Sequence, residues 1–389
     1  MEAVRPMRAA EKRRFEHDPF GFLDALRDDR APAVRLPWGG WCVSDADLAR
    51  EVLRSPEHNS GRSGFFADLL PTRSDQVRVG HAARDLLREH LPAYRAALSA
   101  AVAELPARTR WPDAGTDLLH RCLADVLLRP GSPDRLRELL GRAVHGGVLF
   151  RGASAWRRAR AEVLRARLLT ALAEESARRR AETTAPRDLL DAALRACPPD
   201  DRVVAGVYLV LFRSVLAPVS SSLSWALLLG CLHLGPPPWP HPVEHVLREA
   251  LRHRPMVWMV GRELGGPVEF GGLAFPRGEL LSVSPYLLHH DRSGWRDPGE
   301  FRPERWADPT GRGLYLPFGL GPFACVGASV AQAMAADALT ALTGAGRVGV
   351  AGGETRPVMV EGAVPRPFTT HLDRAAARPT TDSEGGGPP

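Results

Sequence analysis

The residues between Phe318 and Gly327 could bind a metal or act as a nucleophile, because they place one cysteine, Cys325, on a glycine-rich loop. A largely apolar run follows and predicts a helix from Ala328 to Leu342. A thiol at the start of a helix lies near unpaired backbone N–H groups and the positive end of the helix dipole, so its thiolate is expected to be stabilised. Such a thiolate could serve as a soft metal ligand or as a nucleophile.

The glycines of this loop indicate close contact with something large. Gly319, Gly321 and Gly327 would let the backbone lie flat against a planar group. Two interpretations follow: the loop holds a planar metal cofactor, or it carries a buried structural cysteine before an ordinary helix. From the loop alone, the cofactor interpretation is only modestly favoured.

The composition excludes several classes of protein. Among 389 residues there are five cysteines, an odd number, widely scattered and without a CxxC pair. This pattern argues for a reducing compartment and against a disulfide framework or a zinc cluster. The net charge of +6 is carried almost wholly by arginine, since Lys12 is the only lysine, and basic and acidic residues are interspersed. We therefore expect no nucleic-acid partner.

Neither the N-terminus nor the apolar stretches predict a membrane protein. Residues 1–14 are charged and lack an apolar core, unlike a secretory signal or a membrane anchor. The longest apolar stretch, Val203 to Val219, is interrupted by Arg213 and Pro218 and falls short of a membrane span, which needs about 20 apolar residues. We predict that it is a buried helix of a soluble, cytoplasmic protein.

Helices dominate the predicted elements. Apolar residues recur at helical spacing from about residue 75 to 195, and further helices are predicted from Arg202 to about Leu234 and from Val243 to His253. Ser44 is predicted to begin a helix over residues 45–54. Short strands are predicted at residues 33–36, 41–43, 268–270, 273–275 and 279–283, with a hairpin region at 348–368.

The predicted fold class is therefore mainly α with small peripheral β-sheets. We expect an N-terminal arm at residues 1–17 and a single catalytic domain at residues 18–373. The tail at residues 374–389 is rich in Ala, Thr, Gly and Pro and is expected to be disordered.

A pair of charged residues lies upstream of the cysteine. Glu249 and Arg252 are three residues apart and share one face of the predicted helix. The ExxR spacing carries no information alone, because it recurs along the chain, for example at Glu162 and Arg165. The copy at Glu249 differs in its sequel, which is Arg262, then Phe301-Arg-Pro-Glu-Arg305-Trp306, then the cysteine loop.

This ordered series resembles that of the cytochrome P450 family of haem-thiolate enzymes. The resemblance covers about residues 18–373 and is strongest from Glu249 onward. Further residues that fit the family pattern are His290, Asp291, Trp295, Asp297 and Pro298. The resemblance implies the cytochrome P450 fold, with haem b, iron protoporphyrin IX, between a long distal helix and the cysteine-loop helix.

The resemblance also implies roles for individual residues. Those implied to bind the cofactor are Cys325 as the axial thiolate on the iron, Arg262 as partner of a propionate, and Phe318, Gly319, Gly321 and Gly327 of the loop. Glu249, Arg252 and Arg305 are implied to form a structural ion cluster that supports the loop. The planar guanidinium suits a buried cluster because it can meet a carboxylate through two hydrogen bonds. For Arg262, a surface arginine is the alternative.

Two departures from the family pattern concern the propionates. The family commonly has a basic residue two positions before the cysteine, where this chain has Phe323. Arg262 then becomes more important, together with His81 and Arg84, which fall where the family has a histidine and a later arginine, although their spacing is off by one.

A further departure lies in the long helix. Where the family usually has an acid followed by threonine, this chain has Ser220 and Ser221, with Ser222 after them. Ser221 can still donate the hydrogen bond that the threonine makes during oxygen activation, but Ser220 cannot replace a carboxylic acid in proton relay. The alignment could also slip by one residue and exchange these roles.

Pro218 and Arg213 leave alternatives open in the same helix. Pro218 lacks an N–H, so it is expected to free the carbonyl of Ser214 and kink the helix. Alternatively, the proline only bends a core helix, and the serines satisfy freed carbonyls. Arg213 could meet an acidic group of the substrate, although pairing with a structural acid is the simpler expectation.

The leading functional hypothesis is a monomeric monooxygenase that oxidises a small lipophilic natural-product intermediate with O2. Its electrons would come from ferredoxin and ferredoxin reductase, since no flavin or nicotinamide domain fits in the remaining sequence. One alternative is a haem-thiolate enzyme that uses peroxide, or that couples, cyclises or rearranges its substrate without oxygen insertion. Another is a haem-binding sensor or carrier without turnover. A hydrolase with a Cys325 nucleophile is disfavoured, because no triad with a histidine is indicated.

Overall fold

Helices make up most of the structure, a computed structural model that describes residues 8–27, 31–55, 66, 69–150, 154–182, 184–270 and 272–374. The α-helices are α1 (Ala9–His17), α2 (Pro19–Leu26), α3 (Ala46–Arg54), α4 (Arg73–Ala103), α5 (Asp113–Cys122), α6 (Ala124–Leu127), α7 (Asp134–His145), α8 (Ala155–Arg179), α9 (Leu189–Ala196), α10 (Asp201–Leu234), α11 (Val243–His253), α12 (Pro285–His289) and α13 (Ala328–Gly344). Short 3-10 helices lie at Pro303–Trp306 and Gly321–Phe323.

The strands are short and form small sheets beside the helices. They are β1 (Ala33–Arg35), β2 (Trp41–Val43), β3 (Arg108–Trp111), β4 (Val260–Glu263), β5 (Val268–Phe270), β6 (Leu273–Phe275), β7 (Leu280–Val283), β8 (Arg347–Ala351), β9 (Val358–Met359), β10 (Ala363–Val364) and β11 (Phe368–Asp373). One sheet has the order β1-β2-β7-β4, another β3-β11-β8, and β5-β6 and β9-β10 form two-stranded ribbons. In the first sheet, β2 and β7 are parallel while the other pairs are antiparallel.

The long helix α10 lies at the centre of the helical core. The Asp200 side chain caps its start by accepting from the N–H groups of Arg202 and Val203. Every residue from Val219 to Gly230 is buried, and α10 packs against α5, α8, α9, α11 and α13. By length and composition this helix could cross a membrane, but 67% of its most apolar window is buried inside the protein. It is therefore built as a core helix.

Helices α4 and α13 bring the N-terminal and C-terminal parts of the chain together. They pack against each other, and α13 also packs against α10 and α11. Within this interface the hydroxyl of Tyr94 on α4 donates to the carbonyl of Met334 on α13 at 2.8 Å. Gly327 is the N-cap of α13, so the cysteine loop enters this helical layer directly.

The structure confirms the predicted fold class and the long helices. α10 and α11 lie where they are predicted, and β1 and β2 form the predicted hairpin. One local prediction, the start of α3, is wrong. Asp45 rather than Ser44 caps α3, since its carboxylate accepts from two N–H groups of the first turn. The region predicted to be helical also contains β3, which exists because it pairs with β11 at the other end of the chain.

Several predictions of organisation stay predictions. The division into an arm, a catalytic domain and a tail is one of them, and the structure places α1 within the predicted arm. Residues 375–389 of the predicted disordered tail lie outside the described residues, as do residues 1–7.

Candidate functional site

The cysteine loop is held mainly by its own backbone. The Cys325 N–H donates to the carbonyl of Phe318 at 2.8 Å, and the Gly319 N–H donates to that of Leu316 at 3.1 Å. The N–H of Gly327 donates to the Cys325 sulfur. The N–H of Ala328 instead donates to the Cys325 carbonyl at 3.3 Å. The loop therefore fixes the sulfur in place at the start of α13.

Burial and hydrogen bonding act in opposite directions on the thiol of Cys325. Cys325 keeps an exposed surface, yet the surrounding atoms desolvate its thiol. This desolvation raises the pKa of Cys325, and the hydrogen bond from Gly327 opposes it only in part. A cation bound beside the sulfur would favour the thiolate and so oppose the effect of burial.

The three glycines of the loop differ in what the structure requires at their positions. Gly319 and Gly321 have φ angles of +73° and +75°, a left-handed conformation that favours glycine. A Cβ at Gly321 would also collide with the carbonyl of Leu53 at the end of α3. A Cβ at Gly327 meets nothing within 4 Å. Nothing in the described protein requires a glycine there, which is consistent with a surface left flat for a ligand.

The structure brings Glu249, Arg252 and Arg305 together behind the loop. Arg252 donates from Nη2 to Glu249 Oε1 at 2.8 Å and from Nε to Oε2 at 3.2 Å. Arg305 Nε donates to the same Oε1 at 3.1 Å. Glu249 and Arg252 are fully buried. Trp306 Nε1 and the Arg302 backbone N–H also donate to the Glu249 carboxylate, both at 2.9 Å.

Arg252 uses its remaining donors to hold loop backbone. It donates to the carbonyls of His289, Pro298 and Glu300 at 2.7–3.0 Å. Burial alone would raise the pKa of Glu249, but hydrogen bonds from His253 and Arg252 lower it to about 2. The carboxylate thus stays ionised and anchors two guanidiniums, whose other bonds fix the chain between α12 and the 3-10 helix Pro303–Trp306.

His289 connects this cluster to the cysteine loop. It is fully buried, its Nδ1–H donates to the carbonyl of Arg252 at 3.1 Å, and its Nε2 accepts from the N–H of Leu316 at 2.7 Å. Burial, aided by the charge of Arg252, lowers the pKa of His289 to about 3. The neutral ring can therefore make both bonds at once. Leu316 in turn accepts from Gly319, so the connection reaches the loop.

Arg262 is buried on β4, and its guanidinium faces Phe323 of the cysteine loop. Its side chain is 3% exposed, so the surface alternative is wrong. Nη1 donates to the neighbouring carbonyl of Gly261 at 3.0 Å, but Nε has no partner in the described protein. Burial, followed by repulsion from Arg73, lowers the pKa of Arg262.

His81 and Arg84 both lie on α4. Their contacts give little support for a shared role in binding a propionate. His81 is exposed. Arg84 forms an ion pair at 2.8 Å with its neighbour Asp85. The residue of this stretch that approaches the loop is Gly80, because a Cβ there would lie 2.9 Å from the side chain of Val326.

The serines of α10 differ in their hydrogen bonds. Ser220 donates to the carbonyl of Ala217 at 3.2 Å, and Ser222 donates to that of Pro218 at 2.7 Å. Ser221 is fully buried, and its hydroxyl has no partner in the described residues. Two serines therefore satisfy carbonyls of their own helix, while Ser221 keeps its donor available. The helix itself is continuous through Pro218.

Arg213 pairs with an acid from a distant hairpin. Its guanidinium forms an ion pair with Glu361, which lies in the turn between β9 and β10. Both side chains are about one-third exposed, at 33% and 39%. The simpler expectation for Arg213, pairing with an acid of the protein, agrees with this contact.

Sequence reasoning missed two residues that the structure places beside the loop. His289 was hidden because the motif around it drew attention to the following His290 and Asp291. Arg73 lies over the ring of Phe323, with its Cζ 4.5 Å from the ring centroid. The sequence signal for Arg73 was the absence of a basic residue at position 323. That absence indicates that another part of the chain supplies the cation.

Comparison with known proteins first identifies the C-terminal part of the chain. The sequence profile of the family described as "Cytochrome P450" matches residues 242–343. Steroid 17-alpha-hydroxylase/17,20 lyase of Rattus norvegicus is 37% identical over 97 residues, 23% of this chain and 19% of that protein. Cyclooctatin synthase of Streptomyces melanosporofaciens is 37% identical over 109 residues, which are 27% of this chain and 24% of that protein. The match thus spans about a fifth to a quarter of these relatives' length.

Solved structures share the fold over nearly the whole chain. P450BioI in complex with an acyl carrier protein ligated to hexadec-9Z-enoic acid has a TM-score of 0.74 and 16% identity, covering 92% of this chain and 100% of that one. A mutant of P450 EryK in complex with erythromycin B has a TM-score of 0.71 and 18% identity, covering 96% and 100%. These similarities confirm the predicted cytochrome P450 fold.

The residues present fit haem b, the cofactor of this family. A haem iron needs only one thiolate from the protein, and Cys325 offers it. Among the described residues, Arg262 Nε and Ser221 Oγ are buried without hydrogen-bond partners, as expected of groups that pair with a bound molecule. The profile thus identifies residues 242–343 as cytochrome P450 sequence, and the solved structures show that nearly the whole chain has the cytochrome P450 fold.

Proposed function

We propose that this protein is a haem-thiolate monooxygenase that oxidises a small lipophilic natural-product intermediate. The single observation that carries the proposal is Cys325, fixed through its backbone just before α13 with part of its surface exposed. A cysteine held in this way would bind the iron of a haem as a thiolate. When bound, the haem supplies the oxygen activation of the reaction.

The protein groups around Cys325 have separate roles in this proposal. The Gly327 N–H donates to the sulfur and withdraws electron density from it, which tunes the thiolate. Glu249, Arg252 and Arg305 act at a distance, since their hydrogen bonds fix the backbone that leads into the loop. Arg262 offers a buried positive charge to a propionate.

On α10, Ser221 is proposed to orient the bound oxygen substrate through its free hydroxyl. Ser220 cannot supply a proton as an acid would, and its hydroxyl already donates to the carbonyl of Ala217. Protons would then have to reach the site through water or through a hydroxyl of the substrate. The proton path is therefore the most unusual part of this proposed active site.

A second candidate function is favoured because Ser220 cannot relay protons as an acid would. An enzyme that takes its oxygen from peroxide receives it already reduced, so it needs no acid to relay protons from solvent. The same holds for coupling, cyclisation or rearrangement without oxygen insertion. In each case the haem-thiolate site is kept and only the oxidant or the outcome changes.

For the first candidate, we propose ferredoxin and ferredoxin reductase as electron donors and the cytoplasm as location. The proposal of a natural-product substrate is supported by similarity to an enzyme bound to erythromycin B and to Cyclooctatin synthase of a Streptomyces species. We also propose that the protein acts as a monomer.

The haem-thiolate site is tested by the absorption spectrum of the reduced protein with carbon monoxide. We expect the red-shifted Soret band of a thiolate ligand, and we expect Cys325→Ser to abolish it. A wild-type protein without this band, or a Cys325→Ser variant that keeps it, contradicts the proposal.

The two candidate reactions are distinguished by the oxidant. With a substrate identified from a spin-state screen of natural products, the monooxygenase should form product with O2, ferredoxin and reductase. Product with hydrogen peroxide alone, and none with the redox chain, would instead support the second candidate.

A further inference from the structure

The ring of Phe323, two residues before the cysteine, is enclosed by two guanidinium groups. The Cζ of Arg73, the first residue of α4, lies 4.5 Å from the ring centroid. The Cζ of Arg262, on β4, lies 4.8 Å from the same centroid. Contacts at these distances are attractive for the ring and each cation. Phe323 thereby fixes two arginines from distant parts of the chain beside the cysteine loop.

Both of these arginines donate hydrogen bonds to backbone carbonyls. In the described part of the chain, neither forms an ion pair with an acidic side chain; Arg73 donates to the carbonyl of Pro322 and Arg262 to that of Gly261. Arg262 is 3% exposed, and its Nε has no partner among the described residues. A buried cation without a counter-ion is costly, and burial, followed by repulsion from Arg73, lowers the pKa of Arg262.

We propose that Arg73 and Arg262 together bind the haem propionates, with Arg73 replacing the base that is missing at position 323. This inference rests on the proposed function, since it requires haem at Cys325. A propionate is negatively charged, so it can compensate the positive charge of both guanidiniums. Its oxygens can accept hydrogen bonds from either of them. In this arrangement Phe323 positions the two arginines that bind the propionates. A basic residue at position 323 would instead bind a propionate directly.

The packing of α4 explains how Arg73 reaches the loop. Arg73 and Gly80 are seven residues apart, so they lie on one face of the helix. Because Gly80 has no side chain, the helix can approach Val326 closely. The same helical face therefore contacts the loop on both sides of Cys325, at Pro322 and Phe323 through Arg73 and at Val326 through Gly80.

The test is the rate at which haem leaves the ferric holoprotein, measured by transfer to an excess of apomyoglobin. We expect Arg73→Ala to release haem about three- to tenfold faster than the wild type, as for loss of one charge-assisted contact. Arg73→Lys should keep part of the retention, because it keeps the charge. The matched control is Arg88→Ala on the same helix, whose arginine is exposed and loosely paired with Asp85.

A porphyrin without free propionates distinguishes direct binding from a structural effect of Arg73. With iron protoporphyrin IX dimethyl ester, wild type and Arg73→Ala should release the cofactor at equal rates, because the ester carries no charge. Introducing Phe323→Arg into Arg73→Ala should restore retention of ordinary haem.

Three outcomes overturn the inference: equal release of ordinary haem by Arg73→Ala and Arg88→Ala, the same acceleration with the dimethyl ester, or no rescue by Phe323→Arg. Failure of the haem-thiolate function would look different, because the wild-type protein itself would then not retain haem through Cys325.

Discussion

Ser220 and Ser221 are neighbours on α10 with opposite hydrogen-bonding states. The hydroxyl of Ser220 donates to a carbonyl of its own helix, whereas that of Ser221 is buried with no partner among the residues that the structure describes. A buried hydroxyl without a partner costs free energy in the folded protein. Its presence in an otherwise well-bonded helix is easier to understand if the group serves a ligand than if it serves the fold.

We therefore expect Ser221→Ala to lower the yield of product per electron consumed by about three- to tenfold, the worth of one neutral hydrogen bond. Thermal stability should stay the same or rise slightly, since an unpaired polar group is removed. Ser222→Ala is the matched control, because that hydroxyl is used by the helix. Equal coupling in the two variants would contradict the role of Ser221. The measurement is product formed against NADH oxidised in the reconstituted system.

The ion cluster gives a second prediction for single residues. In Glu249→Gln, Arg252 and Arg305 lose the charge that compensates them in the interior, and we expect a loss of about 3–5 kcal/mol in the free energy of unfolding. The control is Glu162→Gln, which removes the acid of another ExxR copy, a pair at 3.6 Å with both side chains more than half exposed. Chemical denaturation should show no change for that variant. Similar small losses in both would mean that the cluster is not supporting the fold.

At the scale of elements, buried histidines hold α11, α12 and the segment before the cysteine loop together. His289 and His253 have pKa values lowered by burial to about 3 and about 4, so both are neutral in the folded protein. The unfolded chain takes up these protons once the pH falls below about 6.5. The stabilising effect is therefore complete above about pH 6.5 and is lost as the pH falls towards the folded-state values.

From this we expect the free energy of unfolding to fall by about 2 kcal/mol per histidine between pH 6.5 and pH 5. His289→Gln removes one titrating group, so its stability should depend less steeply on pH across that range, whatever its stability at neutral pH. Denaturant titrations of both proteins at several pH values provide the measurement. Parallel pH profiles would exclude His289 as a contributor.

The elements also show where sequence reasoning succeeds. α10 and α11 were predictable because a continuous apolar run and an amphipathic pattern specify each helix locally. β3 was not, because its strand character comes from Thr109 and its neighbours pairing with residues around Thr370, far away in sequence. The site shows the same division. Cys325, Glu249 and Arg262 carry recognisable motifs, whereas Arg73 and His289 become visible only through the contacts that the fold creates.

At the scale of the whole molecule, the sequence similarity to known proteins covers a shorter part of the chain than the structural similarity. The family profile matches only residues 242–343, which hold the ion cluster, Arg262 and the cysteine loop. Solved structures share the fold over 92–96% of the chain at 16–18% identity. The shared fold therefore extends well beyond the residues that the profile matches.

Haem should be a major part of the stability of the whole protein. Ligand that binds only the folded state stabilises it by about 4 kcal/mol when its concentration exceeds the dissociation constant 1000-fold. Removing haem also leaves Arg73 and Arg262 without an anion. We expect the apoprotein to unfold at clearly lower denaturant concentration than the holoprotein, and Arg73→Ala to narrow that difference. Equal midpoints for the two forms of the wild type would contradict this expectation.

The backbone bonds of the cysteine loop have a consequence for protein engineering. The Cys325 N–H donates to the carbonyl of Phe318, and the Gly327 N–H donates to the sulfur, so neither bond uses the exposed side chain of Ala324. A library that randomises Ala324 should therefore keep the iron ligand in place, whereas Leu320 packs against the apolar cluster around Leu53 and should be kept. The tolerance of this loop to mutation thus differs between two neighbouring side chains, according to which of them the protein interior uses.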